Sequence, residues 1–283
     1  MPDRINWYPG HMARSRRLLQ DQLRAVDAVI ELCDARAPLA TRNPDLQSLT
    51  RDKTRILVLN KADLADDRET ARWLERFRRE GLVVMRFNSN GGRTKDILAK
   101  IEAASKPALD RFAARGVKKT VRFMVTGIPN VGKSTFINRL HGSAIAKASD
   151  RPGVTRANQW VRLGPYLEIL DTPGMLPPRL DDQEGAKLLA YLGSIRDQIM
   201  DTEGLAGDLL ALLYAIDPAA VTKRFKLALP EGAEPDAHVL MDAACKGRGW
   251  LLSGGRYDID RAAALVLDEF RAGKIGKISI QEV

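Results

Sequence analysis

A chain of 283 residues allows one large domain or two modest ones, and 45% apolar with 29% charged residues is the balance of a globular protein that buries a core. The net charge of +9 favours a polyanionic partner: RNA, DNA or an anionic membrane surface. Cys33 and Cys245 are the sole cysteines, far apart and without metal-ligand spacing, which argues against a disulfide framework or a zinc site and for a reducing compartment. No apolar run is long enough to span a bilayer. The opening MPDRINWYPG has neither an apolar signal core nor the character of an Arg/Ser-rich presequence, so a cytoplasmic protein without transmembrane association is expected.

Short aliphatic and β-branched runs read as strands at 28–34, 55–60, 82–87 and 121–127, and again at 159–163 and 166–170. Helical patterns fall at about 11–26, 68–80, 94–114 and 133–141. This alternation predicts an α/β fold, a mostly parallel sheet with helices on both faces. Gly164 and Pro165 alone separate the last two strands, so these form a hairpin and one strand runs antiparallel to its neighbour. After Gly174 the proline-rich stretch MLPPRL leads into helical patterns at 183–201, 205–215, 218–227, 235–246 and 258–272. Two units are expected: an α/β domain over 1–180 and a small all-helical domain over 181–283.

The stretch GIPNVGKST, Gly127 to Thr135, follows a strand and opens a helix, the context a phosphate-binding loop requires. Its glycines let backbone N–H groups of Asn130, Val131, Gly132 and the residues up to Thr135 close around phosphate oxygens, aided by the helix dipole. Lys133 is placed to reach the β- and γ-phosphates, and the Ser134 hydroxyl to bind Mg²⁺. About forty residues later LDTPG puts Asp171 at a strand end, where a carboxylate holds Mg²⁺ through water, and makes the Gly174 N–H a γ-phosphate sensor. Between them Thr155, in RPGVT, offers a further hydroxyl for the Mg²⁺ shell, although a Pro-Gly turn followed by Thr is also common in loops.

NKAD, Asn60 to Asp63, follows the apolar run RILVLN and so lies at the carboxyl end of a strand, where open α/β sheets bind ligands. Asp63 can accept from guanine N1–H and the 2-amino group, whereas adenine would set a lone pair against the carboxylate. Leaving such a group unpaired costs about 1–3 kcal/mol. Asn60 can meet the other polar edge of the base, the Lys61 stem can cover the ring, and Ser89 in FNSN can meet guanine O6. Four residues are little evidence alone, and Asp63 could instead cap a helix.

In an ordinary GTP-binding domain the phosphate loop precedes the guanine-reading loop, and here the order is reversed. Chain termini often lie close together, so a circular permutation keeps the same spatial site. Together with WYPGHMA at 7–13, DAR-P at 34–38, RNP at 42–44, DRPGVT, SGG at 253–255 and GKIGK at 273–277, these motifs resemble the circularly permuted GTPases of the ribosome biogenesis GTPase A family over nearly the whole chain. The resemblance implies GTP as substrate and hydrolysis coupled to binding the maturing large ribosomal subunit through its rRNA. DNA is not among the implied partners, and the protein is expected to be monomeric off the ribosome. The residue after Gly174 is Met175, which cannot orient an attacking water as a glutamine does. The resemblance assigns that polar function to His11, which by sequence alone reads as an exposed or helix-capping residue. It also implies that Asn130 binds K⁺ in place of an arginine finger, the alternative being a turn residue.

Basic residues crowd 14–17, 68–79 and 111–122, partly opposite Glu69, Glu75 and Glu80, and a solvated helix face explains much of this. The excess suits rRNA phosphates. CKGRGW, SGGRYD and RAGKIGK combine Lys or Arg with Gly and aromatic residues, a composition fitted to an RNA backbone. The competing function is a nucleotide-gated binding module for another structured RNA or an anionic membrane surface.

Overall fold

The computed structural model describes residue 17 and residues 19–283, except 51, 89–90, 92–93, 118, 143–158, 165–166, 173–182, 196–200 and 233. Its centre is a six-stranded sheet of β1 (Ala28–Asp34), β2 (Thr54–Asn60), β3 (Val83–Arg86), β4 (Val121–Thr126), β5 (Gln159–Gly164) and β6 (Leu167–Asp171) in the order β3-β2-β1-β4-β6-β5. All neighbours are parallel except β5 and β6, the expected hairpin. From β1 the chain builds outward through β2 to β3, then returns to β4 on the other side of β1. That reversal between β1 and β4 is a topological switch point, and open α/β sheets bind ligands beside it.

Alternate residues of each strand serve opposite faces. Ile30 and Leu32 of β1, Ile56 and Val58 of β2 and Phe123 and Val125 of β4 bury one face. That face packs under α3 (Thr94–Ala113) and α4 (Lys133–His141), through Ile97, Ile101, Phe136 and Ile137. On the other face Cys33, Leu57 and Leu59 meet Trp73, Leu74 and Phe77 of α2 (Asp67–Arg79). Beside them Val29 and Met124 meet Leu19 and Leu23 of a helical segment before β1, and Leu46 of α1 (Pro44–Leu49).

Three local features escape the sequence pattern. The short α1 starts where the Asn43 side chain accepts from the Asp45 N–H and Pro44 occupies the first turn. Asp66, not Asp63, caps α2, its carboxylate accepting from the N–H groups of Arg68 and Glu69. Asp63 is therefore not a helix cap. A carboxylate interrupts the apolar β1: buried Glu31 pairs with Arg42 and Arg55 and accepts from the Asn43 N–H.

The remaining helices are α5 (Gln183–Tyr191), α6 (Thr202–Ile216), α7 (Pro218–Phe225), α8 (Ala237–Arg248) and α9 (Ile259–Arg271). The pattern at 183–201 is not one helix: α5 ends at Tyr191, and Gly193 turns the chain with φ +69°. Asp201, Asp217, Asp236 and Asp258 each cap the helix that follows. The apolar α6 sits at the centre, packed on α7, α8 and α9 through Leu209, Leu210 and Leu213. Ala37, from the loop after β1, lies in this helical core, as do Ile275, Ile278 and Ile280 of the C-terminal segment. Cys33 and Cys245 are buried and unpaired. Among the described residues no helix is long and apolar enough to cross a membrane.

Candidate functional site

β4 ends at Thr126 and α4 begins at Lys133, so residues 127–132 form a loop between strand and helix at the switch point. Gly132 stands before α4 in the left-handed region, φ 92°, and a Cβ there would lie 2.6 Å from Asn60 Nδ2. Only glycine meets both conditions. No side chain caps α4, and the N-terminus of a helix that opens on such a loop favours an anion through its dipole.

Lys133 is buried, its Nζ donating to the carbonyls of Gly127 (3.1 Å) and Ile128 (2.8 Å). Burial pushes its pKa down to about 8, while Asp171 pulls it up. Asp171, at the end of β6, is raised by burial, opposed by Lys133 and by a hydrogen bond with the Ser134 hydroxyl. Its Oδ1 is buried without a hydrogen-bond partner. An orphaned carboxylate oxygen beside a hydroxyl, at the mouth of an anion-binding loop, is a donor set that fits a hard divalent cation. The next residue, Thr172, ties β6 to β4 through its hydroxyl on the Val125 carbonyl, 2.7 Å.

The guanine-type motif arrives from the other side. Asn60, buried at the end of β2, donates from Nδ2 to the Val131 carbonyl of the phosphate loop over 2.8 Å. Lys61 adopts φ 57°, uncommon for a residue with a side chain, and its Nζ lies 3.1 Å from Asp34 Oδ2. Asp63 is half-buried on the same loop.

Asp34 ends β1 between the two motifs. Its carboxylate accepts from Arg36 through Nε (3.0 Å) and Nη2 (2.8 Å), and the pair is 1% exposed on both sides. Burial alone would raise the Asp34 pKa, but Arg36 and Lys61 hold it well below the usual carboxylate range. Removing one partner of such a pair costs about 3–5 kcal/mol, because the other charge stays buried. Sequence reading matched DAR-P without giving these two residues a role; a charged pair at the end of an apolar strand was the available signal.

Residues of the turn after α5 also touch the phosphate loop. Asn130, at φ 63°, donates from Nδ2 to the Gly193 carbonyl, 2.5 Å, and the Ser194 hydroxyl donates to the Pro129 carbonyl, 3.0 Å. His11, Ser89, Thr155, Gly174 and Met175 lie outside the described residues, as do Pro177 and Pro178.

A family model described as 50S ribosome-binding GTPase matches residues 122–225, beginning in β4. Ribosome biogenesis GTPase A of Bacillus cereus is 42% identical over 280 residues, 98% of this chain and 93% of the relative. The chain belongs to the ribosome biogenesis GTPase A family. The Thermotoga maritima protein of that name is 32% identical over 98% of this chain and 94% of its own length. A solved GDP-bound structure, TM YlqF, superposes with a TM-score of 0.70 at 29% identity, covering 94% of this chain and 99% of that one. As a member of this family the chain is a GTPase, hydrolysing GTP to GDP and phosphate, on a circularly permuted P-loop domain followed by a helical region. The permutation explains why the GTPase match starts at the phosphate-loop strand, with β2 and its NKAD motif earlier in the chain lying outside it.

Proposed function

We propose that the protein is an assembly factor for the large ribosomal subunit, binding the maturing particle through its rRNA in the GTP state and leaving after hydrolysis. The observation that carries this reading is a match to ribosome biogenesis GTPases over 98% of the chain, supported by the hydrogen bond that joins Asn60 of NKAD to Val131 of the phosphate loop. The +9 charge supports an RNA partner. In this reading residues 1–180 form the GTPase domain and 181–283 the rRNA-binding helical domain.

Lys133 and the N–H groups from Asn130 to Thr135 bind the phosphates, and Gly174 senses the γ-phosphate. Asn60, Lys61, Asp63 and Ser89 hold the guanine, with Asp63 rejecting adenine by its unpaired carboxylate. Ser134, Asp171 and Thr155 would hold Mg²⁺, whose charge offsets that of the β- and γ-phosphates. Asn130 keeps Oδ1 as an oxygen donor for K⁺ while Nδ2 bonds Gly193. Met175 offers no polar group to the attacking water, so His11 orients it when the particle is bound.

The test is the GTP hydrolysis rate of the purified protein with large ribosomal subunits, with an unrelated structured RNA, or with anionic vesicles. Stimulation by subunits alone is expected, and His11→Ala should abolish it by roughly 10²–10⁴-fold while GTP affinity is kept. Equal stimulation by the other RNA or by vesicles would favour a general nucleotide-gated binding module and overturn the assignment.

A further inference from the structure

Arg36 lies on the loop after β1, and its guanidinium addresses two parts of the molecule at once. One edge forks onto Asp34. The opposite nitrogen, Nη1, donates to the carbonyls of Phe270 (3.0 Å) and Arg271 (3.4 Å) at the end of α9. Carbonyls at a helix C-terminus lack intrahelical partners and carry the negative end of the dipole, so a buried cation suits them. Asp34 in turn meets Lys61 of the guanine loop. The line α9, Arg36, Asp34, Lys61 is unbroken.

The C-terminal segment crosses the same two loops. The Ile278 N–H donates to the Leu64 carbonyl (3.1 Å), and the Ile280 N–H to the Arg36 carbonyl (2.9 Å). Ser279 Oγ accepts from the Asp66 N–H, 3.1 Å. Gln281 Oε1 accepts from the N–H groups of Leu39 (2.8 Å) and Ala40 (3.1 Å). The guanine loop is thus held from below by Asp34 and from outside by the last residues of the chain.

Resting on the guanine-site reading, we propose that Asp34 and Arg36 are positioning residues for guanine recognition: they fix Lys61 and the loop through Asp63 only while the end of α9 and the C-terminal segment are seated. Base binding and seating of the helical region then stabilise each other, as linkage requires. Asp34 and Arg36 would satisfy each other without a third partner, yet Asp34 also holds Lys61, which keeps a left-handed backbone that persists only when its surroundings impose it. A lysine at position 36 could reach Asp34 or the α9 carbonyls but not fork across both.

The test compares the parent, Arg36→Lys, and the double variant Ser279→Ala with Gln281→Ala, which leaves the buried charges alone. Affinities for GDP and for IDP, which lacks the 2-amino group, are measured beside hydrogen exchange at the Ile278 and Ile280 amides with and without GDP. In the parent, GDP should slow that exchange. In Arg36→Lys the GDP:IDP preference should fall about tenfold, within the usual range of coupling between sites, and the slowing should vanish, while pyrophosphate binding is unchanged. The double variant should show the same changes, smaller in size. Folded variants that keep both the parental preference and the GDP-dependent slowing would overturn the joint, leaving Asp34 and Arg36 as purely structural. A parent that binds IDP as well as GDP would overturn the guanine-site reading itself.

Discussion

Asn60 Nδ2 and the Val131 carbonyl, 71 residues apart in sequence, are 2.8 Å apart in space. The contact reaches from the end of β2 across β1 to the loop after β4, so the NKAD loop and the phosphate loop support one another directly. Asn60→Ala removes this bond to the Val131 carbonyl, a cost of about 1–3 kcal/mol where the carbonyl is left unpaired. Pyrophosphate, a ligand with no base, should therefore bind Asn60→Ala more weakly than the parent. Parental pyrophosphate affinity in a folded Asn60→Ala would mean that Asn60 serves the base alone.

Asp63→Asn should behave differently. In the proposed site it removes the carboxylate assigned to guanine N1–H and the 2-amino group and presents an amide donor to a 2-oxo group. GTP affinity should drop, xanthine nucleotide should be admitted, and pyrophosphate binding should not change. Competition among GTP, ATP and XTP checks this, and ATP competing as well as GTP in the parent would contradict the role of Asp63.

Lys133 sets a pH dependence. Its pKa in the free protein is pushed down to about 8 by burial, and phosphate binds the ammonium form, so bound nucleotide raises that pKa again. Affinity is fully present below about pH 8 and falls as pH rises above it, by up to about tenfold per unit until the bound-state pKa is reached. GDP titrations between about pH 7 and pH 9 measure this, and a flat profile would contradict it. Lys133→Ala should abolish binding at every pH.

The sheet was legible because each strand is a short apolar run: 28–34 is β1 to the residue, and the two residues between the last strands announced the hairpin. Helix α1 was not, since its six residues carry too little periodicity, and Asn43 and Pro44 of RNP are its cap and first turn. The helix read through 201 stops at Tyr191 because Gly193 takes a left-handed conformation that the apolar pattern does not encode. Of the site, Lys133, Ser134 and Asn60 stood in local motifs. The bond from Arg36 to Phe270 spans 234 residues, and no local pattern carries such a pairing. The C-terminal KISIQ is silent for the same reason: its partners, Leu64, Asp66 and Arg36, lie far away in the chain.

Asn130 bonds the Gly193 carbonyl in this structure, and its proposed K⁺ role rests on the side-chain oxygen that remains. Replacing K⁺ by Na⁺ at fixed ionic strength should slow hydrolysis several-fold in the parent and have little effect in Asn130→Ala, which should already be slow. Equal parental rates in the two salts would leave Asn130 as a contact between the phosphate loop and the turn after α5.

The central claim is that GTP, bound at these loops, commits the protein to the ribosomal particle. Sedimentation of large subunits with the protein and a non-hydrolysable GTP analogue, GDP or no nucleotide measures that commitment directly. The account predicts co-sedimentation with the analogue and little with GDP or without nucleotide. Equal co-sedimentation in all three, or none with the analogue, would contradict it.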